Sequence, residues 1–290
     1  KARLFTSLSE TVEKAHGNPR LAVLNRDDQS YPYLRQVTQV RQVSYGLEPG
    51  ADVWAEIPHY GPTGLGFNAL GPNFQVEVES HMAGAYNILN CLAALAATVV
   101  GLGVSPQAAS QGITSLAAVP GRMERIDMGQ DFLAIVDFAH TPNSLRSALQ
   151  TARQMTSGRV LTVFGSAGLR DQKKRRMMAG VSQELADVTI LTAEDPRTES
   201  LDGILAEMAA AARERGGTEN TTFWRVPDRG EAIRLAVRLA KAGDVVIVCG
   251  KGHEQSMCFG TTEYLWDDRT ALRAALAEHL GLEGPAMPYL

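Results

Sequence analysis

Hydrophobic and polar positions follow two different periods along the chain. In the first part, ADVWAEI and FQVEVES alternate apolar and polar residues, a pattern typical of half-buried strands, and RLAVLNRDD predicts a strand that enters an acidic turn. The next two segments predict helices. One is alanine-rich and closed by Gly101 and Gly103, and the other has Ser105 as its N-cap and Pro106 in its first turn.

The pattern changes near residue 121. Continuous apolar runs such as RVLTVFG, DVTILTA and DVVIVCG alternate with amphipathic helical segments over the rest of the chain. Strands that are apolar on both faces predict a mostly parallel sheet covered by helices on each side. The sequence therefore predicts an α/β fold with two domains, residues 1–120 and residues 121–290.

The composition is that of a soluble globular protein, because 44% of the 290 residues are hydrophobic and 21% are charged. The net charge of -4 offers no general attraction to nucleic acid or to an anionic membrane, and no apolar run reaches membrane-spanning length. Cys91, Cys249 and Cys258 lack metal-ligand spacing, so we expect buried thiols, as in a reducing cytoplasm.

Polar residues cluster where four of the predicted strands end. The clusters are Asp137 with His140, residues 165–171, residues 194–197 and residues 250–254. Ligands of parallel sheets bind in the crevice beyond the carboxyl ends of the strands. The four clusters therefore predict a single ligand crevice.

The last cluster, GKGHE, looks at first like a phosphate-binding loop. That loop needs a Ser or Thr after its Gly-Lys pair to hold magnesium, and Gly252 stands in this place. Glu254 would also repel a phosphate, so the segment favours a ligand with positive charge. A dinucleotide site is disfavoured as well, because VDFAHTP replaces the glycine-rich fingerprint at the first strand of the second domain.

Each of these polar residues also has a purely structural interpretation. Arg122 could be a surface charge at a domain hinge, and Asp137 could cap the helix that follows it. His140 could be a half-buried imidazole, while Arg170 and Asp171 could form a surface ion pair. The convergence of all four clusters on one crevice favours a functional site.

Several motifs resemble the Mur ligase family in order and spacing over nearly the whole chain. They are AGAYNILNCLAALAA, VPGRMERID, VDFAHTPNSL, VFGSAGLRDQKKRRMMAG, TAEDPRTES, PDRGEAI, GKGHEQ and WDDRTAL. Within the family the chain looks most like the UDP-N-acetylmuramoyl-tripeptide synthetases. The resemblance implies that residues 1–120 are the C-terminal part of a mixed α/β ATP-binding domain. It implies that residues 121–290 form a Rossmann-like amino-acid-binding domain.

The resemblance also implies an activity, which is ATP-dependent amide formation in peptidoglycan synthesis. A diamino acid would be added to UDP-MurNAc-L-Ala-D-Glu through an acyl phosphate, with Mg²⁺ and without nucleic acid or membrane partners. We expect a cytoplasmic monomer. The phosphate loop and a uridine-nucleotide domain are expected upstream of Lys1, so this chain alone is expected to be an inactive fragment. The alternatives are a non-catalytic Mur-like ligand-binding module and a ligase similar to folylpolyglutamate synthase.

Site residues follow from the same resemblance. Lys1 matches a carbamylated lysine, whose carbamate oxygen would be a hard ligand for Mg²⁺. Asn90 matches a residue near adenine, Arg122 a phosphate contact, Asp137 a ribose acceptor, and His140 a neighbour of the same nucleotide. The residues that match the amino-acid pocket are Arg170, Glu194, Asp195, Pro196, Arg197, Gly250 and Glu254.

The chain departs from the family pattern at one position of this pocket. Family members that add meso-diaminopimelate carry D-N-P-R, whereas this chain has Glu194-Asp195-Pro196-Arg197. An ionised Asp195 would repel a distal carboxylate and favour a distal ammonium, as in L-lysine or L-ornithine. Arg197 could still pair with a carboxylate, so meso-diaminopimelate stays open as the third alternative.

Overall fold

The computed structural model describes residues 2–12, 17–61 and 64–288. Its residues fall into two compact units, Lys1–Ala117 and Ala118–Leu290. The boundary between the units lies after Ala117, whereas the change of sequence pattern predicts a domain boundary after residue 120.

The first unit is built around a mixed five-stranded sheet. Its strands are β1 (Leu21–Asn25), β2 (Arg41–Gly46), β3 (Val53–Gly61), β4 (Gly64–Gly71) and β5 (Phe74–Ser80). They lie in the order β1-β2-β3-β4-β5, parallel from β1 to β3 and antiparallel from β3 to β5. In β5 buried and more exposed residues alternate, which confirms that FQVEVES is a half-buried strand.

Four α-helices complete the described part of this unit. They are α1 (Ala2–Thr6), α2 (Tyr31–Val37), α3 (Tyr86–Leu95) and α4 (Pro106–Thr114). The alanine-rich segment is helical as predicted, although its last turn, Ala96–Gly101, is a π-helix. Ile88 and Leu92 of α3 are fully buried and pack in one core cluster with Phe67 of the sheet. The Oγ of Ser105 accepts the backbone N–H of Ala108, so the predicted N-cap of α4 is confirmed.

The second unit contains the predicted parallel sheet. Its strands are β6 (Glu124–Arg125), β7 (Leu133–Asp137), β8 (Val160–Phe164), β9 (Val188–Leu191), β10 (Phe223–Arg225) and β11 (Val245–Cys249), and a separate hairpin is formed by β12 (Ser256–Phe259) and β13 (Thr262–Leu265). The order is β10-β9-β8-β11-β7-β6, with β6 as the antiparallel member. Every residue of β8 and β11 is buried, as expected for central strands.

Helices cover both faces of this sheet. They are α5 (Pro142–Gln154), α6 (Gln172–Leu185), α7 (Leu201–Glu214), α8 (Arg229–Leu239) and α9 (Asp268–Leu280). Val246 and Val248 of β11 pack in a core cluster with side chains of α8 and α9. Ile247 is equally buried but points to the opposite face, because successive residues of a strand alternate. That face is in contact with α5.

The helix caps of α5 and α6 test the structural interpretations given above for Asp137 and Asp171. Thr141, not Asp137, caps α5, since its Oγ1 accepts the N–H of Ser144 while the Ser144 hydroxyl accepts the N–H of Thr141. Asp171 caps α6 by accepting the N–H of Lys173. Asp137 therefore does not cap the helix that follows it, whereas Asp171 has the structural role of a helix N-cap.

The cysteine prediction is confirmed, because Cys91, Cys249 and Cys258 are all buried free thiols. Over residues 2–12, 17–61 and 64–288, none of the helices combines the length and the apolar character that a membrane crossing requires.

Candidate functional site

The predicted clusters of the second unit do meet at one edge of its sheet. Strands β7, β8, β9 and β11 run parallel, so their carboxyl ends lie side by side. The N–H of Gly250, after β11, donates to the carbonyl of Asp137 at the end of β7, at 3.1 Å. After β8, a Cβ on Gly165 would lie 2.6 Å from the Cβ of Glu194, so these two loops are also in contact. The strand ends that carry the polar clusters are therefore in contact with one another.

Glu194 is a buried carboxyl group in the loop that follows β9. It is 6% exposed, and its Oε2 has no hydrogen-bond partner among the described residues. Burial raises the pKa of Glu194 to about 7, against the opposing influence of nearby cations, first Lys174 and then Arg229 and Lys251. Such a carboxyl group can gain or lose a proton near neutral pH.

Gly250 makes a close contact within the protein itself. Its φ of 113° is in the region that favours glycine, and the space that a Cβ would fill is occupied by Oε2 of Glu194. The close approach that glycine allows at this position is thus made by a buried carboxyl group of the protein.

The loop after β9 is held in an uncommon backbone conformation. Asp195 and Arg197 have positive φ angles of 41° and 54°. The N–H of Gly168 donates to the carbonyl of Asp195 at 2.9 Å, and Nη1 of Arg197 donates to the carbonyl of Gly168 at 3.0 Å. A Cβ at Gly168 would also strike the carbonyl of Pro196. The loops after β8 and β9 therefore fix one another, and Arg197 is directed by them.

Lys251 joins this loop to the GKGHE segment. Its Nζ lies 2.9 Å from Oδ1 of Asp195 and 2.7 Å from Oε2 of Glu254, and its side chain is almost fully buried. The sequence-based premise that Asp195 presents an unbalanced negative charge is therefore wrong. We call Glu194, Asp195, Arg197, Lys251 and Glu254 the charged cluster.

Arg170 lies at the rim of the same loops. It is exposed, and no hydrogen bond or ion pair of its side chain is found in the part of the chain that the structure describes. Its neighbour in the RDxxKR motif, Arg175, is instead fully buried and donates from both terminal nitrogens to Glu199 at 2.6 Å. Glu199 also accepts the N–H of Leu169, and its ion pair lowers the pKa of Glu199 to about 2. Arg175 thus anchors the loop that carries Arg170.

A second group of side chains lies at the ends of β7 and β11. The guanidinium of Arg122 stacks over the ring of Phe138, 4.4 Å from its centroid, while the rings of His140 and His253 lie 4.6 Å and 5.0 Å from that ring. Nδ1 of His140 is 3.0 Å from the carbonyl of Phe138. We call these four residues the aromatic cluster. Phe138 was not predicted as a site residue, although its position between Asp137 and His140 in VDFAHTP marks it.

Asp137 lies beneath this cluster and is only 7% exposed. Its Oδ2 accepts the N–H of Met123 and its Oδ1 accepts the N–H of Ala139, both at 2.8 Å. Burial raises the pKa of Asp137, although these hydrogen bonds and the charge of Arg122 oppose the rise. Asp137 therefore fastens the VPGRME segment to the end of β7.

Gly121 and Gly252 are in direct backbone contact. A Cβ on Gly121 would overlap the carbonyl carbon of Gly252 and the nitrogen of His253. A Cβ on Gly252 would lie 2.7 Å from the Cβ of Phe138. The start of the second unit and the GKGHE segment are consequently packed backbone to backbone.

Two predicted site residues belong to the first unit of the chain. Asn90, in α3 of the first unit, is exposed, and its Nδ2 donates to Oδ1 of Asn87 at 2.8 Å. Lys1 lies outside the described residues. Within the described ranges, which leave out residues 13–16, 62–63 and 289–290 as well, no group of three or more His, Cys, Asp or Glu is suited to hold a metal ion.

Sequence reasoning missed the buried ion pair of Arg229 and Asp268, which contacts the ends of β9 and β11. The guanidinium donates to both oxygens of Asp268 at 2.7 Å and also to the carbonyls of Ala193 and Cys249. These carbonyls follow β9 and end β11, so one arginine holds both strand ends. The motifs PDRGEAI and WDDRTAL carry the pair, and an arginine at the first position of a helix with small apolar residues was the available signal.

Comparison with known proteins matches both units. Residues 1–98 match the Mur ligase middle domain, and residues 121–252 match the glutamate ligase domain of Mur ligases. The chain is 38% identical over 278 residues to a UDP-N-acetylmuramoyl-L-alanyl-D-glutamate–2,6-diaminopimelate ligase of Geobacillus thermodenitrificans, covering 96% of this chain and 55% of that relative. It is 38% identical over 288 residues to a UDP-N-acetylmuramyl-tripeptide synthetase of a Roseiflexus species, covering 98% of this chain and 56% of the relative. The chain thus spans about half the length of the curated relatives it matches.

Solved structures give the same grouping. A UDP-N-acetylmuramoyl-L-alanyl-D-glutamate–2,6-diaminopimelate ligase aligns with a TM-score of 0.59 and 32% identity, covering 96% of this chain and 55% of that one. MurF ligase from Thermotoga maritima in complex with ADP aligns with a TM-score of 0.60 over 81% of this chain and 51% of the other, at 19% identity, which shows a shared fold. With both domain matches, the motif order and the sheet topology in agreement, this chain belongs to the Mur ligase family.

Proposed function

We propose that this chain provides the amino-acid-binding part of an ATP-dependent ligase that adds diaminopimelate to UDP-N-acetylmuramoyl-L-alanyl-D-glutamate. The relatives that carry this activity in their names support the proposal. The observation that carries it is the charged cluster, in which the guanidinium of Arg197, after β9, and the carboxylate of Glu254, after β11, are linked through Asp195 and Lys251.

The chemistry of the charged cluster suits a zwitterionic ligand. A guanidinium binds a carboxylate through two parallel hydrogen bonds, and a carboxylate binds an ammonium. Arg197 and Glu254 would therefore hold the distal end of diaminopimelate, which carries both groups. L-lysine and L-ornithine carry only an ammonium there, so Arg197 would lack a partner. The pairing of Asp195 with Lys251 removes the charge that favoured those two amino acids.

The proposed reaction has two steps. A carboxylate oxygen of the UDP-linked dipeptide attacks the γ-phosphorus of ATP, and ADP leaves, which gives an acyl phosphate. The diamino acid's amine then attacks the acyl carbon, phosphate leaves, and the nitrogen loses a proton. Phosphorylation is needed because an unactivated carboxylate has no adequate leaving group. The charged cluster would contribute by holding the amine in a reactive orientation.

The aromatic cluster is proposed to contact ATP. The exposed guanidinium of Arg122, held over Phe138, offers donors that suit a phosphate. The carboxylate of Asp137 accepts backbone N–H groups and keeps acceptor capacity for a further donor, such as a ribose hydroxyl. His140 would adjoin the same nucleotide, and Asn90 of the first unit would contact adenine.

The proposals for Mg²⁺ and for a carbamylated Lys1 rest on the family resemblance. Among the described residues, no group of three or more His, Cys, Asp or Glu is suited to hold a metal ion. When bound, Mg²⁺ would neutralise phosphate charge during phosphoryl transfer.

The test is a ligation assay with the complete protein, ATP, Mg²⁺ and UDP-MurNAc-L-Ala-D-Glu. Parallel reactions contain meso-diaminopimelate, L-lysine or L-ornithine, and mass spectrometry detects the UDP-linked tripeptide while a coupled assay measures ADP. We expect tripeptide and ADP with meso-diaminopimelate. Binding of the amino acid without ADP release would indicate a non-catalytic module instead. Release of ADP only with a folate and glutamate would indicate a folylpolyglutamate synthase.

A further inference from the structure

Lys251 is a cation in a place where lysine is rarely found. Its side chain is 2% exposed, and a buried ammonium requires a counter-charge. It has two, Oδ1 of Asp195 at 2.9 Å and Oε2 of Glu254 at 2.7 Å. These carboxylates belong to the two loops that form the charged cluster.

The surroundings of Asp195 leave it little capacity for a ligand. Its Oδ1 accepts both Nζ of Lys251 and the N–H of Cys258, the latter at 3.0 Å. Its Oδ2 lies 3.7 Å from Nη2 of Arg197. The carboxylate is therefore neutralised from two sides, and a ligand ammonium would have to displace Lys251 in order to pair with it.

Two members of the charged cluster do face solvent. The side chains of Glu254 and Arg197 are 41% and 27% exposed, compared with 17% for Asp195. The accessible face of the cluster thus presents one negative and one positive group. This balance holds only while Lys251 compensates the carboxylate of Asp195.

We propose that Lys251 determines the amino-acid specificity of this site. By neutralising Asp195 it keeps the pocket selective for a diamino acid whose distal amine stands beside a carboxylate, and it disfavours one with a distal amine alone. The inference rests on the proposed function, since it concerns the same pocket. Lys251 acts through Asp195 and Glu254, so it is a positioning residue and has no contact with the reacting atoms.

The experiment measures dissociation constants by calorimetry, which does not require turnover. The complete protein, with ATP analogue and UDP-linked dipeptide bound, is titrated with meso-diaminopimelate and with L-lysine. Lys251→Met removes the charge at similar length, so Asp195 and Glu254 lose the cation that they share. We expect the ratio of the two affinities to shift at least tenfold toward L-lysine. Lys251→Arg keeps the charge and is expected to retain most of the wild-type ratio.

Two further variants make the result independent of the folding of Lys251→Met. Asp195→Asn removes the partner carboxylate and should shift the ratio in the opposite direction, toward meso-diaminopimelate. The double variant Asp195→Asn with Lys251→Met should restore a ratio near that of the wild type, because the two charges are removed together. A structural role alone would weaken the binding of both amino acids equally.

Each outcome has a distinct meaning. Equal losses for both amino acids in Lys251→Met, or no shift in Asp195→Asn, would overturn the inference. If the wild-type protein binds meso-diaminopimelate but forms no tripeptide, the proposed ligase function fails while the affinity ratios still judge the role of Lys251. If the wild-type protein binds neither amino acid, both proposals fall.

Discussion

Arg229 and Asp268 form an ion pair in which neither side chain is exposed to solvent. Two N–H groups of the guanidinium point at the two carboxylate oxygens, and the indole N–H of Trp266 donates to the same carboxylate at 2.8 Å. Two further N–H groups of the guanidinium donate to the carbonyls of Ala193 and Cys249. The ends of β9 and β11 are therefore held by a buried polar network in which the charges of Arg229 and Asp268 compensate each other.

This network predicts a large effect of removing one charge. Asp268→Asn would leave the buried guanidinium without a counter-charge, and we expect the free energy of unfolding of the second unit to fall by about 3–5 kcal/mol. Urea denaturation followed by circular dichroism measures the change. The control is Glu184→Gln in the exposed ion pair with Arg146, where little change is expected. A similar loss in both variants would contradict the prediction.

The raised pKa of Glu194 predicts a pH dependence of stability. The folded chain keeps a proton on Glu194 up to about pH 7, whereas the unfolded chain releases it near the ordinary pKa of 4.5. The stabilising effect of this proton is complete below that ordinary pKa and is lost as the pH rises toward 7, a change of about 3 kcal/mol. Glu194→Gln cannot ionise, so its stability relative to the wild type should rise by that amount.

The measurement is urea denaturation of the wild type and of Glu194→Gln at several pH values. Because all other groups titrate in both proteins, the difference between them isolates Glu194. If the difference in the free energy of unfolding between the two proteins were the same at every pH, the prediction would be contradicted.

Gly250→Ala should be more harmful than an ordinary glycine substitution. The new Cβ would collide with Oε2 of Glu194, and the φ of 113° is unfavourable for alanine. Backbone strain of about 1–2 kcal/mol and overpacking of about 1–3 kcal/mol are expected to add. The control is Gly129→Ala, because Gly129 has a φ of 93° and open space around it.

Thermal denaturation compares the two glycine variants. In the double variant Gly250→Ala with Glu194→Ala, the loss of stability caused by overpacking should disappear, while the loss caused by backbone strain should remain. If Gly250→Ala and Gly129→Ala cost the same, the contact with Glu194 contributes nothing.

Arg122→Ala should impair nucleotide binding selectively. A charge-assisted hydrogen bond contributes about 1.5–3 kcal/mol, so the KM for ATP should rise roughly tenfold to a hundredfold. The KM for the diamino acid should change little, and the fold should persist because Arg122 is exposed. Lys241→Ala removes an exposed cation that precedes β11, at the other end of the strand, and serves as the control. A larger rise in the KM for the amino acid than in the KM for ATP would contradict the proposed contact of Arg122 with ATP.

The strands of the second unit were predictable because β8, β9 and β11 are apolar on both faces and are separated by long amphipathic helices. The short strands β6 and β10 were not, since Glu124–Arg125 and Phe223–Arg225 are too short to show a period. The strand-end rule also located the charged cluster and the two histidines of the aromatic cluster, because it depends on topology alone.

The charges within the site were less predictable. Considered alone, Asp195 in EDPR carries a free negative charge, which favours a basic amino acid. Its partner Lys251 lies 56 residues away in the sequence, and only the fold shows that the two side chains meet. For the same reason the sequence could not show that Oε2 of Glu194 lacks a hydrogen-bond partner among the described residues, because burial of a single oxygen depends on every loop around it.

The backbone contact between Gly121 and Gly252 has a consequence for exchanging specificity between related ligases. Neither position has room for a side chain, so a poor fit between the two segments cannot be relieved by choosing a smaller residue. The GKGHE segment is therefore not a freely transplantable module. A chimaeric protein that receives this segment from a relative would have to receive the residues around Gly121 from the same source.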